Sequence, residues 1–378
     1  MNAYERVAEA VRESGAGAFV HVGDRFDDDM RYLTRFGGPD RPYAFVAVPT
    51  PDGHRTVLCA PSLFGEQARR EFPGTAVRTE NVGTPPAGRA AAVLAAAGVD
   101  RVLVPAAIPH ATVARLTDRG IEATATPVVE EARRSKSPAR IGRHRAIQEA
   151  ATAGIAAAES ALAAATVRDD GRLVYDGEPL TTEGLRRIVN RALVGEGVEP
   201  AGNTVIGAGP TAADLHYTGT DAIAADETVL LDLSPRGPDG AYGDLTRTFA
   251  VESSGGWERR AYVAVESARE AALAEVAAGA SAAIVHEEAA AELAAHGFQV
   301  DSTDVGFTHS VGHGVGFSLH EAPSLGGDAT LAAGDVVTIE PGVYDPEIGG
   351  VRLEDTIVVR EDGYETLATY PFGLQPEA

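Results

Sequence analysis

The sequence has a single cysteine, Cys59, in 378 residues. One thiol cannot form an intramolecular disulfide, nor can it build a zinc site from several cysteines. No apolar run approaches the ~20 residues that span a bilayer. The opening, MNAYERVAEAVRESG, has the acidic amphipathic pattern of a helix rather than the basic and then apolar start of a signal peptide. These absences predict a cytoplasmic protein that has no membrane partner.

Lysine is equally scarce, because Lys136 is the one lysine among 32 basic residues, against 55 acidic residues. The net charge of −23 argues against nucleic acid as a partner, since phosphate binding requires a basic surface. Frequent Ala, Arg and Gly are typical of a GC-rich genome but do not explain the acidic excess. Such self-repulsion is tolerable where salt screens it. The composition therefore predicts a halophilic, haloarchaeal source, with an ordinary acidic protein as the alternative.

The length and the 44% hydrophobic content predict two domains with real cores. Helix and strand patterns alternate at first, which predicts an α/β domain over residues 1–132. Within it, DRFDDDM (24–30) is interpreted as a solvated acidic loop, with a metal site as the minor alternative. The segment EARRSKSPARIG (131–142) is predicted to connect the two domains.

In the second domain, residues 133–378, two pairs of helices are each followed by strands. The helices are predicted at 140–167, 181–195, 256–278 and 281–296. The strands are predicted at 203–209, 227–234, 242–251, 335–340 and 350–360. Two helix–helix–hairpin units indicate a pseudo-twofold domain of the α+β class.

Four carboxylates of the second domain lie on predicted strands: Asp232, Asp244, Glu340 and Glu354. A carboxylate in a buried strand is costly unless it is paired or binds a cation. Any one of them could face water at a strand end, but four in one domain make that interpretation poor. We therefore expect a metal centre.

The alternation of side chains along a strand predicts their partners. In GVRLEDTIVV, Arg352 and Glu354 share one face, so Arg352 is expected beside Glu354. Asp355 points the other way and is expected to make a structural hydrogen bond. Asp244 shares its face with Thr246, whose hydroxyl could orient the carboxylate.

Residues 309–323, HSVGHGVGFSLHEAP, contain three of the ten histidines. Each interspersed glycine would cost a helix ~1 kcal/mol, so a regular helix is not expected. We expect instead a bent, extended segment whose backbone lies very close to another part of the structure. An imidazole among carboxylates suits Mn²⁺, Co²⁺, Fe²⁺ or Zn²⁺ better than Cu⁺, Mg²⁺ or Ca²⁺. Four carboxylates have enough charge for two divalent ions, about 3.5–4 Å apart in hydrolytic sites.

The segments GDLTRTF, GHGVGFSLHEAP, TIEPGVY and GVRLEDT, in this order, resemble the signature of the creatinase/prolidase/methionine aminopeptidase family of M24 metallopeptidases. The resemblance covers about 140–370 and implies an α+β, pseudo-twofold pita-bread catalytic domain. The first 130 residues, with DMRYLTRF, are similar to the N-terminal α/β creatinase-type domain of the Xaa-Pro peptidase branch. Methionine aminopeptidase lacks such a domain.

The resemblance also implies roles for individual residues. The implied metal ligands are Asp232, Asp244, His313, Glu340 and Glu354. The implied catalytic and substrate-contacting residues are His216, His309, His320, Glu340 and Arg352. His320 would support the tetrahedral intermediate, and Glu340 would carry a proton to the leaving nitrogen. The loop between Asp232 and Asp244 is one residue longer than the family spacing, so Asp239 is the alternative ligand.

The implied activity is hydrolysis of the Xaa-Pro bond, in dipeptides or at peptide N-termini, by two divalent ions. Mn²⁺ or Co²⁺ is preferred, with Zn²⁺ or Fe²⁺ as alternatives, and the branch implies a homodimer that takes a proline-containing peptide. The other hypotheses are a metal-independent creatinase-like hydrolase and a non-catalytic pita-bread binding protein. The complete ligand set disfavours both, and the acidic charge also disfavours nucleic-acid binding.

The net charge of −23 predicts that salt stabilises the protein. The Debye length shrinks from about 10 Å at 0.1 M to about 3 Å at 1 M salt, which relieves repulsion in the folded state. The melting temperature should therefore rise across this range in a thermal unfolding series. A flat or falling melting temperature would point to an ordinary mesophilic source.

Overall fold

The computed structural model describes residues 2–80, 83–300 and 302–377. The chain divides into two compact units, Met1–Arg133 and Arg134–Ala378. Hydrophobic cores form within each unit. Within the described ranges, none of the helices is both long enough and apolar enough to cross a membrane.

The first unit is built on a mixed six-stranded sheet with the order β4-β3-β2-β1-β5-β6. Its helices are α1 (Ala3–Ser14), α2 (Asp28–Thr34), α3 (Gly65–Glu71), α4 (Pro86–Ala97), α5 (His110–Thr117) and α6 (Val128–Arg134). Its strands are β1 (Ala18–Gly23), β2 (Tyr43–Thr50), β3 (Gly53–Cys59), β4 (Ala76–Arg78), β5 (Arg101–Pro105) and β6 (Glu122–Thr126). Alternate residues of β1 face opposite cores: Phe19 packs with Val7 of α1, and Val20 packs with Leu94 of α4.

The interpretation of residues 24–30 as a solvated acidic loop is wrong. Asp27 caps α2, because its carboxylate accepts a hydrogen bond from the backbone N–H of Met30 at 2.8 Å. The same carboxylate oxygen lies 2.8 Å from Nε2 of His21, which is fully buried. The acidic run is therefore a helix N-terminus with one carboxylate held by a histidine.

The second unit contains two helix pairs and several antiparallel sheets. Its helices are α7 (Pro138–Ala163), α8 (Thr182–Gly195), α9 (Trp257–Ala274) and α10 (Ala282–Ala295). Its strands are β7 (Thr166–Val167), β8 (Leu173–Tyr175), β9 (Glu178–Pro179), β10 (Thr204–Ala208), β11 (Thr228–Leu233), β12 (Leu245–Ala250), β13 (His313–Gly314), β14 (Glu321–Ser324), β15 (Val336–Ile339), β16 (Gly342–Asp345), β17 (Gly349–Arg352), β18 (Asp355–Arg360) and β19 (Gly363–Thr366). The predicted connection over 131–142 is mostly helical, because α7 begins at Pro138, a residue whose fixed φ suits a first helical turn.

The two helix pairs cover two different sheets. Leu193 of α8 and Leu231 of β11 belong to one core, under the sheet β10-β11-β12. Val285 of α10 and Val337 of β15 belong to another, under the sheet β14-β13-β15-β18-β19. The repeated arrangement of a helix pair on an antiparallel sheet confirms the predicted α+β, pseudo-twofold domain.

The strand predicted over 350–360 is in fact two strands. β17 pairs with β16, whereas β18 pairs with β15 and β19 in another sheet. Leu353 and Glu354 connect them, and the backbone N–H of Glu354 donates to the carbonyl of Thr246 at 3.1 Å. The chain therefore changes sheets just where a carboxylate was expected on a continuous strand face.

His144 of α7 is a buried histidine that stays neutral. Its Nδ1 donates to the carbonyl of Tyr242 at 2.9 Å, and its side chain is 1% exposed. Burial, followed by the charges of Lys136 and Arg140, lowers its pKa to about 3.

Because the unfolded chain binds a proton at His144 near pH 6.5 and the folded chain does not, stability should fall as the pH drops below that value. At pH 5 this contribution amounts to about 2 kcal/mol. The variant His144→Asn, whose amide can still donate to Tyr242, should show a shallower loss of unfolding free energy between pH 7 and pH 5 in urea titrations. The exposed-site control His110→Asn should keep the wild-type slope; equal slopes for His144→Asn and wild type would contradict the assignment.

Candidate metal centre

The four carboxylates meet where strands begin or end. Asp232 lies within β11, directly opposite Thr246 of β12. Asp244 immediately precedes β12, Glu340 immediately follows β15, and Glu354 lies between β17 and β18. The expectation that all four lie on strands was therefore wrong for three of them, since loop backbone gives their carboxylates the freedom to converge.

The side chains converge on one point. One carboxylate oxygen each from Asp232, Asp244 and Glu354 lie within 4.8 Å of one another. Nε2 of His313 lies 3.6 Å from Oδ2 of Asp244 and 3.2 Å from Oε1 of Glu340. The structure thus brings together the five residues that the resemblance implied as metal ligands.

The cluster is closed on one side and open on the other. Glu354 is 1% exposed and the Asp244 side chain 6% exposed, so these two carboxylates form the buried floor. The side chains of Asp232, His313 and Glu340 are 18%, 14% and 14% exposed, respectively. A small ion or a substrate can therefore approach from the side of the latter three residues.

Burial and mutual repulsion dominate the electrostatics of the carboxylates. Burial, followed by the charge of Asp232, raises the pKa of Asp244 well above its usual range. Burial, followed by the charges of Asp244, Glu340 and Asp232, does the same to the pKa of Glu354. The floor of the cluster therefore resists carrying its full negative charge unless a cation is present.

His313 pairs with two carboxylates of the cluster, and it lies closer to Glu340 than to Asp244. Burial opposes a charge on His313, but its hydrogen bond to Glu340 and the charges of Glu340 and Asp244 raise its pKa to about 9. Burial likewise opposes a charge on Glu340, yet His313 lowers its pKa to about 2. Nδ1 of His313 donates to the carbonyl of Gly314 at 3.0 Å, which leaves Nε2 facing the carboxylates.

The glycines around His313 allow the close backbone approach expected from the sequence. A Cβ on Gly312 would lie 2.1 Å from the carbonyl oxygen of Thr338, and a Cβ on Gly314 would lie 2.3 Å from that of Ala322. The segment is not helical, which confirms the sequence-based expectation. The backbone N–H of His313 donates to Oγ1 of Thr338 at 3.0 Å, which fixes the position of the imidazole.

Two hydroxyl groups orient the buried carboxylates, but with partners that differ from those expected. Ser234 donates to Oδ1 of Asp244 at 3.0 Å. Thr246 donates to Oε2 of Glu354 at 2.6 Å rather than to Asp244. The expectation for Thr246 was wrong because the link between β17 and β18 brings Glu354 across the face of β12.

Arg352 contacts Asp232, not Glu354 as predicted. Its Nη2 donates to Oδ2 of Asp232 at 2.5 Å, and its Nη1 donates to the hydroxyl of Tyr344 at 3.0 Å. The continuous strand face that placed Arg352 beside Glu354 does not exist, because the strand ends at Arg352. Asp355 does make the expected structural contact, with Arg247 at 2.8 Å.

The three remaining histidines surround the cluster at different depths. The His320 ring packs against the His313 ring at a tilt of 50°, with the ring centroids 4.2 Å apart. Burial followed by the charge of His313 lowers the pKa of His320. His216 is exposed, and its charge adds to that lowering. Nδ1 of His309 donates to the carbonyl of Ser310 at 2.8 Å, so its Nε2 accepts the hydrogen bond from the Tyr344 hydroxyl at 2.8 Å.

The alternative ligand Asp239 does not reach the cluster. Its carboxylate pairs instead with Arg143 at 3.1 Å. The sequence reasoning missed Gln148, whose side-chain amide is bonded to the backbone of Asp244. Its position four residues after His144, on an alanine-rich helix, was the signal available.

The donor set fits divalent cations. Oε1 of Glu354 is buried and receives no hydrogen bond, although a carboxylate oxygen in such a place needs either a donor or a cation. Oxygen donors with one imidazole nitrogen suit Mn²⁺, Co²⁺, Zn²⁺ or Fe²⁺. A cation at this point would also replace the proton on Nε2 of His313, since metal ligands bind deprotonated.

Comparison with known proteins places this arrangement in context. Residues 143–361 match the sequence profile of Metallopeptidase family M24. The "Probable dipeptidase PepE" of Mycobacterium tuberculosis is 31% identical over 189 residues, 49% of either chain. The "Xaa-Pro dipeptidase" of Pyrococcus furiosus is 34% identical over 172 residues, 45% of this chain and 48% of that protein. The chain thus spans about half of the length of the curated relatives that it matches.

The likeness in fold extends over the whole chain. The prolidase structure from Pyrococcus horikoshii superimposes with a TM-score of 0.83 at 24% identity, covering 98% of this chain and 99% of that one. At this identity the match establishes the fold, with an N-terminal domain followed by a pita-bread domain.

The repulsion among the buried carboxylates leads us to predict how Glu354→Gln changes the thermal stability of the protein. Removal of one buried negative charge should raise the melting temperature of metal-stripped protein by at least about 2 °C, whereas the stabilisation by added Mn²⁺ should largely disappear. Thermal unfolding with and without Mn²⁺ measures both effects.

The neighbouring variant Asp355→Asn is the matched control. Because Asp355 is paired with Arg247 and Arg269, its neutralisation should lower the melting temperature of the metal-stripped protein and preserve the effect of Mn²⁺. A Glu354→Gln protein that melts lower than wild type but keeps its response to Mn²⁺ would show that the cluster is not a metal centre.

Proposed function

Because the chain belongs to metallopeptidase family M24, we propose that it is a metal-dependent peptidase that cleaves the Xaa-Pro bond, in dipeptides or at peptide N-termini. The observation that carries the proposal is the convergence of Asp232, Asp244 and Glu354 within 4.8 Å, with His313 and Glu340 alongside. Relatives named Xaa-Pro dipeptidase and prolidase support the choice of substrate class.

Asp232, Asp244, His313, Glu340 and Glu354 would hold two divalent cations, Mn²⁺ or Co²⁺ in preference to Zn²⁺ or Fe²⁺. When bound, such ions lower the pKa of water towards neutrality and polarise the scissile carbonyl group. Arg352 would keep the Asp232 carboxylate oriented through its hydrogen bond. Ser234 would do the same for Asp244.

Glu340 is the group that we propose to carry the proton. As a carboxylate beside the site of hydrolysis, it can accept a proton from water and pass it to the leaving nitrogen. Oγ1 of Thr338 donates to its Oε1 at 3.1 Å and holds the carboxylate in place. Every amide nitrogen needs such a proton to leave as an amine, and at an Xaa-Pro bond the site must also accommodate the proline ring.

His320 is placed to stabilise the developing oxyanion. Its lowered pKa keeps the ring neutral, so that it offers one N–H donor on the open side of the cluster. His216 lies on an exposed segment close enough to affect it, and we assign this residue to contact with the substrate. His309 has both ring nitrogens engaged, so its contribution to the proline site would be its shape and its support of Tyr344.

Arg352 cannot serve as the receptor for a free substrate carboxylate. The side chain is 4% exposed, and its donors are occupied by Asp232, Tyr344 and Thr246. A dipeptidase must neutralise the terminal carboxylate of its substrate, whereas an aminopeptidase leaves that side open. Both substrate lengths therefore stay within the proposal.

Four further assignments accompany the proposal. We assign residues 1–132 to the N-terminal creatinase-type domain and 133–378 to the catalytic domain, as the full-length match in fold supports. The buried single thiol of Cys59, whose pKa burial raises to about 11, suits a reducing cytoplasm. A homodimer and a halophilic source complete the assignments.

The substrate panel tests the proposal. Metal-stripped protein should be inactive, and Mn²⁺ or Co²⁺ should restore hydrolysis of Ala-Pro or Ala-Pro-Ala with a kcat/KM at least about tenfold above that for Ala-Ala. Liquid chromatography of the products, with Zn²⁺ tested in parallel, provides the measurement. A preference for Ala-Ala would defeat the substrate assignment, and full activity of protein shown by elemental analysis to be metal-free would favour the creatinase-like hypothesis.

A further inference from the structure

One face of α7 and the residues just before it form a polar stripe that is buried except at Arg140, which is half-buried. Lys136, Arg140, His144 and Gln148 follow one another at intervals of four residues, which places them along one side of the helix. Their partners are, in the same order, the Glu321 carboxylate, the Phe317 ring, the Tyr242 carbonyl and the backbone of Asp244. The stripe therefore holds two segments that border the carboxylate cluster.

Gln148 makes the most direct of these contacts. Its Oε1 accepts from the backbone N–H of Asp244 at 2.7 Å, and its Nε2 donates to the backbone carbonyl of the same residue at 2.7 Å. The side chain is 1% exposed. A Cβ on Gly243 would lie 2.5 Å from Oε1 of Gln148, so the glycine makes room for the amide.

The side-chain amide of Gln148 makes the two backbone hydrogen bonds to Asp244 that a neighbouring strand would otherwise make. The ladder between β11 and β12 ends at the pair Leu233–Leu245, one residue after Asp244. The carbonyl of Asp244 accepts a second hydrogen bond from Thr356 of β18 at 2.8 Å. Both backbone groups of Asp244 are thus satisfied from outside its own sheet, which fixes the direction in which its carboxylate leaves the chain.

We propose that Gln148 is a positioning residue of the metal centre, which it serves by clamping the backbone of Asp244 so that the carboxylate meets those of Asp232 and Glu354. The inference rests on the proposed metal-dependent function. Groups that orient metal ligands from behind typically change metal affinity by about 10–100-fold when they are removed. Gln148 performs this role through the backbone, without touching any of the donor atoms.

The test is the metal affinity of Gln148→Met, which keeps the length of the side chain but removes both hydrogen bonds. The full-length, metal-stripped protein is titrated with Mn²⁺ in competition with a fluorescent chelator, and its folding is checked by circular dichroism. The dissociation constant for at least one Mn²⁺ should rise by about 10–100-fold. The shorter amide in Gln148→Asn should give an intermediate loss, and it decides the question if the methionine variant does not fold.

Arg186→Met on α8 is the matched control. Arg186 is a buried side chain that donates from a helix to the strand carbonyl of Thr204 at 3.0 Å. Its carboxylate partner is Glu183, which is not part of the metal centre. This variant should lose thermal stability in the metal-stripped form and keep a Mn²⁺ dissociation constant within about twofold of wild type. The comparison separates general destabilisation from loss of ligand geometry.

Two results would overturn the inference, and they can be told apart. If wild-type protein binds Mn²⁺ and a folded Gln148 variant binds it equally tightly, Gln148 has only a structural role. If wild-type protein binds no Mn²⁺, the proposed metal centre is wrong and the role of Gln148 falls with it. A loss of affinity confined to the Gln148 variants supports the inference.

Discussion

The repulsion among buried carboxylates is the constraint on which the second unit of the chain depends. Asp244 and Glu354 are buried side by side, and burial together with the neighbouring charges raises the pKa of both. Such a cluster is costly to fold unless donors or cations compensate it. The structure supplies donors from every direction, among them the hydroxyls of Ser234 and Thr246 and the guanidinium of Arg352. Oε1 of Glu354, which receives no hydrogen bond from any of these donors, indicates where a cation would bind.

The pseudo-twofold plan explains how the chain assembles this cluster. One helix-covered sheet contributes Asp232 and Asp244 through β11 and the start of β12. The other contributes His313 and Glu340 through β13 and the end of β15. The link between β17 and β18 then brings Glu354 to the backbone of β12. The glycines near His313 permit the close backbone contacts by which its segment packs against β14 and β15.

The single lysine of the chain, Lys136, occupies a position where its side chain is suited to the surroundings. Lys136 is fully buried, and its Nζ lies 2.7 Å from Oε1 of Glu321. Glu321 directly follows His320 in the chain. The ammonium group of lysine is compact, whereas the guanidinium group of arginine is a broad planar fork. A lysine therefore suits this buried position better than an arginine would. Elsewhere arginine supplies the pairs, many of them exposed, as between Arg69 and Glu66, where a single pair contributes little. The excess of acidic residues thus remains a property of the surface, and salt governs it more than any one ion pair does.

The sequence by itself determined most of the helices and strands, because their periodicity is a local signal, and the resemblance of its motifs to a known family identified the clustered residues. Helices α8, α9 and α10 begin within a residue or so of their predicted starts, and the five implied ligands do meet. Only the tertiary structure decided which side chain forms a hydrogen bond with which carboxylate. The alternation rule assigned Arg352 to Glu354 on the premise of one continuous strand, but the chain changes sheets at 353–354 and turns Arg352 towards Asp232. Likewise, nothing local to Gln148 indicates that its amide replaces a strand for Asp244, 96 residues further along the chain. Hydrogen bonds of this kind depend on where distant segments of the chain pack. The periodic pattern of residues within one helix or strand carries no information about that packing.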